Sequence, residues 1–228
     1  MSRKGKCIAI FAILTLLSAA LINPAWAGQG NGNGGGNGKG GNDDGDRAPV
    51  SLTEDEIAGL IFMREEEKLA RDVYLNLYDA WDLTVFENIS ESEQKHTDAI
   101  KSLLEKYEIE DPVTDDAEDD RGVYVDLELQ GLYDVLIEAG LESATGGLVV
   151  GATIEEKDIG DIQNKIDSAN QEDIISTYES LMCGSRNHLR AFMQNLDAVG
   201  EPYAPQFLDN EEFDAIVDGS LETDCGEY

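Results

Sequence analysis

The sequence predicts an all-α protein whose core is a bundle of four helices. Between residues 51 and 200, four long stretches repeat apolar residues at steps of three and four, the spacing of one face of an α-helix. No comparably long stretch alternates with the two-residue period of a β-strand. A glutamate or a histidine interrupts each apolar face, so the predicted core contains ionisable groups.

The four predicted helices follow one another in order. A capping-box pattern, Thr53-x-x-Glu56, opens the first, and the others cover residues 86–107, 144–168 and 171–198. The first core face consists of Leu60, Met63, Glu67, Ala70, Tyr74, Tyr78 and Trp81. The second consists of Ile89, Glu93, His96, Ile100, Leu103 and Tyr107. The third consists of Leu148, Ala152, Glu155, Ile159, Ile162 and Ile166. The fourth consists of Ile174, Tyr178, Leu181, Ser185, His188 and Phe192.

The connections predict how these helices are arranged. Residues 82–85 and 169–170 are short links, so the first two and the last two helices should each form an antiparallel hairpin. Residues 108–143 join the hairpins and contain a short predicted helix, residues 127–139, that stops at Gly140. Two hairpins joined by one long crossover are the ferritin-like arrangement of a four-helix bundle.

The two ends of the chain differ from this predicted bundle, residues 51–200. Residues 1–27 have the basic start, apolar run and Ala25-Trp26-Ala27 cleavage site of a signal peptide. A retained N-terminal anchor is the alternative. Residues 28–50 form a flexible Gly/Asn-rich linker, and residues 201–228 form an acidic tail. We therefore expect a secreted, extracytoplasmic protein.

The charge of the chain restricts its partners. There are 16 Lys and Arg against 48 Asp and Glu, a formal charge of −32. Removing the three basic residues of the leader changes this charge to −35 (−32 − 3). Because such a field repels phosphates and anionic headgroups, we expect no binding to nucleic acid, and none to membranes after leader cleavage. Metal cations are the expected partners, and the choice between a monomer and a homodimer stays open.

The ionisable residues of the core faces predict a metal site. An unpaired carboxylate in an apolar interior costs several kcal/mol, on the order given for buried charges. Bundles of this type hold metal with a Glu from each of two helices and a Glu-x-x-His from each of the other two. The matching residues are Glu67, Glu93, His96, Glu155 and His188. Carboxylate and imidazole ligands without thiolates suit iron or manganese.

Four segments of the sequence resemble a known family. They are EEEKLARDVY (residues 65–74), FENISESEQKH (86–96), IEEKDIGDI (154–162) and GSRNHLRAF (184–192). They are similar to the ferritin-like proteins catalogued as domain of unknown function 2202, and the resemblance covers residues 52–199. The wider ferritin and rubrerythrin superfamily implies a carboxylate-bridged di-iron centre with ferroxidase, peroxidase or oxygen chemistry. Ser185 departs from the second Glu-x-x-His, so one or two metal ions are compatible with the pattern.

Each candidate ligand also has a purely structural interpretation. Ser90-x-x-Glu93 has the pattern of a capping box. A rotated first helix would bury Glu66 in place of Glu67, and Glu156 competes with Glu155 in the same way. Each histidine could be an ordinary hydrogen-bonded core residue.

Two functions from different classes follow. In the first, bound iron reacts with dioxygen or peroxide at positions that Ser185 leaves open. In the second, the protein is a non-enzymatic acidic bundle that binds a partner or sequesters cations. Its interior glutamates would then pair with Arg71, Lys95 or Arg190.

Two cysteines remain after leader cleavage. Cys183 lies on the side of the fourth helix opposite His188, so it should face outward, and Cys225 lies in the tail. In an oxidising compartment a disulfide between them would tie the tail to the bundle. Free or intermolecular thiols are the alternative.

Overall fold

The computed structural model describes residues 51–114, 120–223 and 225–226. The predicted signal peptide and the predicted linker, residues 1–50, lie outside this described part. The described residues form helices and no strand. These helices are α1 (Glu54–Trp81), α2 (Thr84–Lys106), α3 (Leu127–Gly140), α4 (Ala144–Ser168), α5 (Glu172–Val199) and α6 (Asn210–Val217). None of them is both long and apolar enough to cross a membrane.

Local signals in the sequence set the helix boundaries. The Thr53 side chain accepts a hydrogen bond from the Glu56 amide, and Glu56 reaches back to the Thr53 amide, so the predicted capping box forms. Ser143 caps α4 through the amide of Gly146. Gly200 ends α5 in the left-handed conformation (φ +74°), which favours glycine.

The four long helices pack as antiparallel neighbours. α1 packs mainly on α2, and α4 mainly on α5. In each of these pairs, contacts that move forward along one helix move backward along the other. Between α1 and α2, for example, Arg64 meets Thr97 and Arg71 meets Gln94. The α4–α5, α1–α4 and α2–α5 contacts follow the same rule. α1 and α5 therefore run in one direction, and α2 and α4 run in the other.

This arrangement requires a long crossover. Because α2 and α4 are parallel, the chain has to return along the length of the bundle between Lys106 and Ala144. α3 lies in this crossover and packs on α1 and α4. The predicted pair of hairpins and the short connecting helix are thus present.

The crossover buries a run of charged residues on α1. Arg64, Lys68 and Asp72 each have no exposed surface. Nε of Arg64 donates to Asp111 at 3.1 Å, and Nζ of Lys68 donates to Asp72 at 2.7 Å and to the carbonyl oxygen of Asp120 at 2.9 Å. These charged residues are buried because they pair with one another and with the crossover.

The C-terminal segment folds back onto the bundle. α6 packs on α5, and Nε of Arg190 donates to the carbonyl oxygen of Ile216 at 2.7 Å. The sulfurs of Cys183 and Cys225 are bonded at 2.06 Å. The expectation that Cys183 faces outward was wrong, because only 7% of this residue is exposed. The residue is buried where the segment carrying Cys225 is attached.

Reducing this disulfide should destabilise the protein. The bond closes a loop with a sequence separation of 42 residues. A loop of this size restricts the unfolded chain enough to stabilise the fold by about 4 kcal/mol. We expect Cys183→Ser/Cys225→Ser to lower the denaturation midpoint in urea. The same midpoint for the oxidised wild type, the reduced wild type and this variant would contradict the expectation.

Candidate metal centre

The five predicted ligands lie together in the interior formed by the four long helices. α1 contributes Glu67, α2 contributes Glu93 and His96, α4 contributes Glu155, and α5 contributes His188. All five are buried, and His188 is the most exposed at 7%. Two triads of ligand atoms share Glu93.

The first triad consists of Glu67, Glu93 and His96. One ligand atom from each lies within 4.8 Å of the other two. Nδ1 of His96 lies 2.8 Å from Oε2 of Glu93 and 3.3 Å from Oε2 of Glu67. Glu93 and His96 are three residues apart on α2, so both side chains leave the same face of that helix.

The second triad consists of Glu93, Glu155 and His188. Its ligand atoms also lie within 4.8 Å of one another. Nδ1 of His188 lies 2.7 Å from Oε1 of Glu93 and 3.4 Å from Oε2 of Glu155.

Glu93 therefore faces both histidines with one carboxylate. Its Oε2 lies beside His96 and its Oε1 beside His188, and the two imidazole rings lie 5.4 Å apart. Glu93 could therefore offer an oxygen to a cation in either triad.

The ligand atoms fit a metal better than they fit one another. Oε1 of Glu67, Oε2 of Glu93 and Nδ1 of His188 are buried and make no hydrogen bond with any described residue. The last two atoms still have an ion-pair neighbour: Oε2 of Glu93 lies 2.8 Å from Nδ1 of His96, and Nδ1 of His188 lies 2.7 Å from Oε1 of Glu93. Each unsatisfied buried polar atom costs about 1–3 kcal/mol. A cation in each triad would satisfy them.

Burial and mutual charge shift the pKa values of the carboxylates. Burial raises the pKa of Glu67 to about 8, although His96 opposes the shift. Burial also raises the pKa of Glu155 against the effect of His188. Burial acts in the same direction on Glu93, but the two histidines together hold its pKa well below the usual range.

The pKa values of the histidines move upward. Burial alone would lower them, but Glu93 and Glu67 raise the pKa of His96 well above its usual value. Glu93 and Glu155 raise that of His188 to about 9. In the absence of metal, the centre therefore retains protons where it could hold cations.

Neighbouring side chains orient the second triad. The hydroxyl of Tyr74 donates to Oε1 of Glu155 at 2.5 Å. Nε2 of His188 lies 2.9 Å from Oγ of Ser92, so its Nδ1 is turned towards the carboxylates. The ring of Phe192 packs 5.3 Å from the ring of Tyr74.

The competing glutamates are buried but bind other partners. Glu66 accepts a hydrogen bond from Nζ of Lys157 at 2.6 Å. Glu156 accepts the backbone N–H groups of residues 206–208 within 3.2 Å. Neither belongs to a triad. They hold elements of the fold together.

The capping-box interpretation of Glu93 was wrong. α2 begins at Thr84 with Leu83 as its N-cap, so Glu93 lies well inside the helix. The hydroxyl of Ser90 instead donates to the carbonyl oxygen of Glu87 at 2.8 Å.

The arginines proposed as alternative interior partners have contacts elsewhere. Arg71 binds Asp72 at 2.8 Å and Gln94 at 2.7 Å. Arg190 binds Glu222 at 3.0 Å. Arg71 thereby connects α1 to α2, and Arg190 connects α5 to the C-terminal segment.

Asp158 is a carboxylate near the two triads that the apolar spacing of the sequence did not indicate. Asp158 is 5% exposed, and its Oδ2 accepts a hydrogen bond from Oγ of Ser185 at 2.5 Å. Burial raises its pKa, and the charges of Glu67 and other nearby glutamates add to the shift. The spacing Glu155-x-x-Asp158 matches that of Glu93-x-x-His96 and could have identified it.

A pocket of about 570 Å³ lies beside the two histidines. Its walls are Ser92, Lys95, His96, Gly184, Asn187, His188, Cys225 and Gly226. The disulfide-bonded C-terminal segment thus forms part of the wall next to the centre.

The comparisons with known proteins identify relatives. Residues 56–220 match the model of an uncharacterized protein domain, DUF2202. The chain is 51% identical over 171 residues to the uncharacterized protein MJ0754 of Methanocaldococcus jannaschii, covering 75% of this chain and 91% of that one. The crystal structure of hypothetical protein MJ0754 matches with a TM-score of 0.73 at 49% identity, covering 79% of this chain and 100% of that one.

The close approach of α5 to His96 gives a test of the geometry. A Cβ at Gly184 would lie 2.5 Å from Nε2 of His96, whereas a Cβ at Gly160 would meet nothing within 4 Å. We expect Gly184→Ala to displace His96, lowering both the melting temperature and divalent metal affinity. Gly160→Ala should change stability by at most about 1 kcal/mol, in the stabilising direction, because alanine favours helix. Equal melting temperatures and Co²⁺ affinities for both variants would contradict this packing.

Proposed function

Because the chain belongs to the uncharacterized DUF2202 family and has two buried Glu/His triads that share one glutamate, we propose that it is an exported ferritin-like protein that binds two iron ions. Manganese is the alternative metal. The observation that carries this proposal is Glu93, whose two oxygens lie beside His96 and His188. Export is proposed from the predicted leader, residues 1–27.

The helix directions support a ferritin-like bundle. α1 and α5 run opposite to α2 and α4, and a long crossover joins α2 to α4. This is the topology of bundles with one long connection, in which metal sites lie between facing helices. The five ligands come from all four long helices, as that class requires.

The proposed activity is oxidation of ferrous iron by dioxygen or peroxide. Bound iron would supply the electrons for reduction of the oxidant. Glu67 with His96 would hold one ion, Glu155 with His188 the other, and Glu93 would contact both. Tyr74 would orient Glu155 through its hydrogen bond, and Phe192 packs against Tyr74.

The pocket beside the histidines is the proposed access route. It reaches His188, the most exposed of the five ligands. Because the chain is strongly acidic, an uncharged oxidant or a cation would approach more readily than an anion.

Ligand substitutions should remove metal ions in a defined pattern. We expect two Fe²⁺ or Mn²⁺ ions per wild-type chain, one per chain for His96→Ala and for His188→Ala, and none for Glu93→Gln, because Glu93 belongs to both triads. Metal analysis after anaerobic loading and desalting measures this stoichiometry.

A matched control is Glu156→Gln. This glutamate is equally buried and adjacent to Glu155, but it binds the C-terminal segment, and glutamine still offers an oxygen to the same N–H groups. It should retain both ions. Unchanged metal content after replacing both histidines would refute the centre, and many loosely held ions would favour a surface cation-sequestering protein.

Metal binding should release protons. With a pKa of about 9 for His188 and about 8 for Glu67, both groups are mostly protonated at pH 7 before metal binds. Ligation requires their deprotonated forms, so affinity should rise from pH 6 to pH 9, with about two to four protons released per chain. Calorimetry in buffers of different ionisation enthalpy counts these protons. A binding heat independent of buffer would contradict the assigned protonation.

A further inference from the structure

Asp158 is a buried carboxylate with one oxygen that lacks a hydrogen-bond partner among the described residues. Its Oδ2 accepts a hydrogen bond from Ser185, but its Oδ1 is buried and makes no hydrogen bond with any described residue. Asp158 is 5% exposed, so bulk water does not compensate for that oxygen. By contrast, the neighbouring Asp161 is partly exposed and pairs with Lys157.

The helix register places Asp158 at the level of the first triad. Across the antiparallel α4–α5 pair, Glu155 faces His188, and one turn further along α4 Asp158 faces Ser185. The α5 backbone beside Ser185 approaches His96, because a Cβ at Gly184 would lie 2.5 Å from Nε2 of that histidine. Asp158 therefore lies one turn from Glu155, on the side of His96.

The charge of the centre calls for a fourth carboxylate. Two divalent cations carry four positive charges, whereas the two triads together contain three glutamates and two histidines that bind metal as neutral ligands. Three carboxylates would leave one positive charge uncompensated in a buried site. Ser185 offers none, whereas Asp158, which Ser185 contacts from the neighbouring helix α4, carries a carboxylate.

We propose that Asp158 is a further residue of the metal site. Its carboxylate would compensate the charge of the divalent cation bound by the Glu67–Glu93–His96 triad. This inference rests on the proposed two-metal centre. It assigns to α4 the negative charge that the Glu-x-x-His pattern would have placed on α5. The hydrogen bond from Ser185 fixes the Asp158 carboxylate in position.

Co²⁺ titration of Asp158→Asn tests this assignment. Asparagine has the same shape and can still accept the hydrogen bond from Ser185, so the fold is preserved. We expect one Co²⁺ to bind as in the wild type and the other to bind about 10- to 100-fold more weakly, the range found when a supporting residue of a metal site is lost. Calorimetry and the visible Co²⁺ spectrum report the two ions, and Asp161→Asn is the matched control that should retain both.

Double variants identify which ion depends on Asp158. Adding Asp158→Asn to His96→Ala should cause no further loss, because the same ion is already missing. Adding it to His188→Ala should weaken the one remaining ion by the same factor of about 10 to 100. The exchange Asp158→Ser/Ser185→Asp, which returns a carboxylate to α5, should restore the second ion.

Two outcomes overturn the inference while leaving the proposed centre intact. One is a wild type and an Asp158→Asn variant that both bind two Co²⁺ ions with equal affinity. The other is a loss that adds to His96→Ala but not to His188→Ala, which would place Asp158 at the second triad. A wild type that binds no Co²⁺ in the interior would instead refute the proposed function itself.

Discussion

The concentration of negative charge in the bundle interior is the constraint on which the site depends. Glu67, Glu93, Glu155 and Asp158 are all at least 95% buried. Carboxylates this close and this dry cannot all stay ionised without cations, since desolvation and mutual repulsion both oppose it. Without metal, bound protons reduce this negative charge. The pKa values of both histidines are raised, and so are those of all these carboxylates except Glu93. The negative charge of the buried carboxylates therefore favours both the binding of protons and the proposed binding of metal cations.

Most of the fold could be predicted because its signals are local. The predicted range of α4, residues 144–168, agrees with the observed helix. Where ends were predicted for the other long helices, they lie within two residues of the observed ones. The same period brought Glu67, Glu93, His96, Glu155 and His188 to the core. A helix face is fixed by spacing alone, so a residue that interrupts the face must point inward wherever the helix packs.

What could not be predicted depends on contacts between distant parts of the chain. The charged run of α1 looks like a solvated surface, but Arg64 is buried because Asp111, 47 residues away, pairs with it. Cys183 lies on the outer side of α5 by periodicity and is nevertheless covered. No local pattern shows that a later segment will return to cover a face, so periodicity identifies the inner faces better than the outer ones.

The proposed centre has a carboxylate at Asp158 on α4 in place of the glutamate that the Glu-x-x-His pattern would put at position 185 on α5. This difference changes the arrangement of side chains around the centre. A glutamate at position 185 would lie one turn before His188 and reach inward on a long side chain. The shorter aspartate at 158 projects from α4 instead. The Ser185 hydroxyl shares its single proton between Oδ2 of Asp158, 2.5 Å away, and the Leu181 carbonyl oxygen, 3.0 Å away. The side of the centre lined by α5 therefore keeps a small hydroxyl where a carboxylate would have stood. On that side, Gly184 and His188 of the same helix line the pocket beside the two histidines, which is the proposed access route.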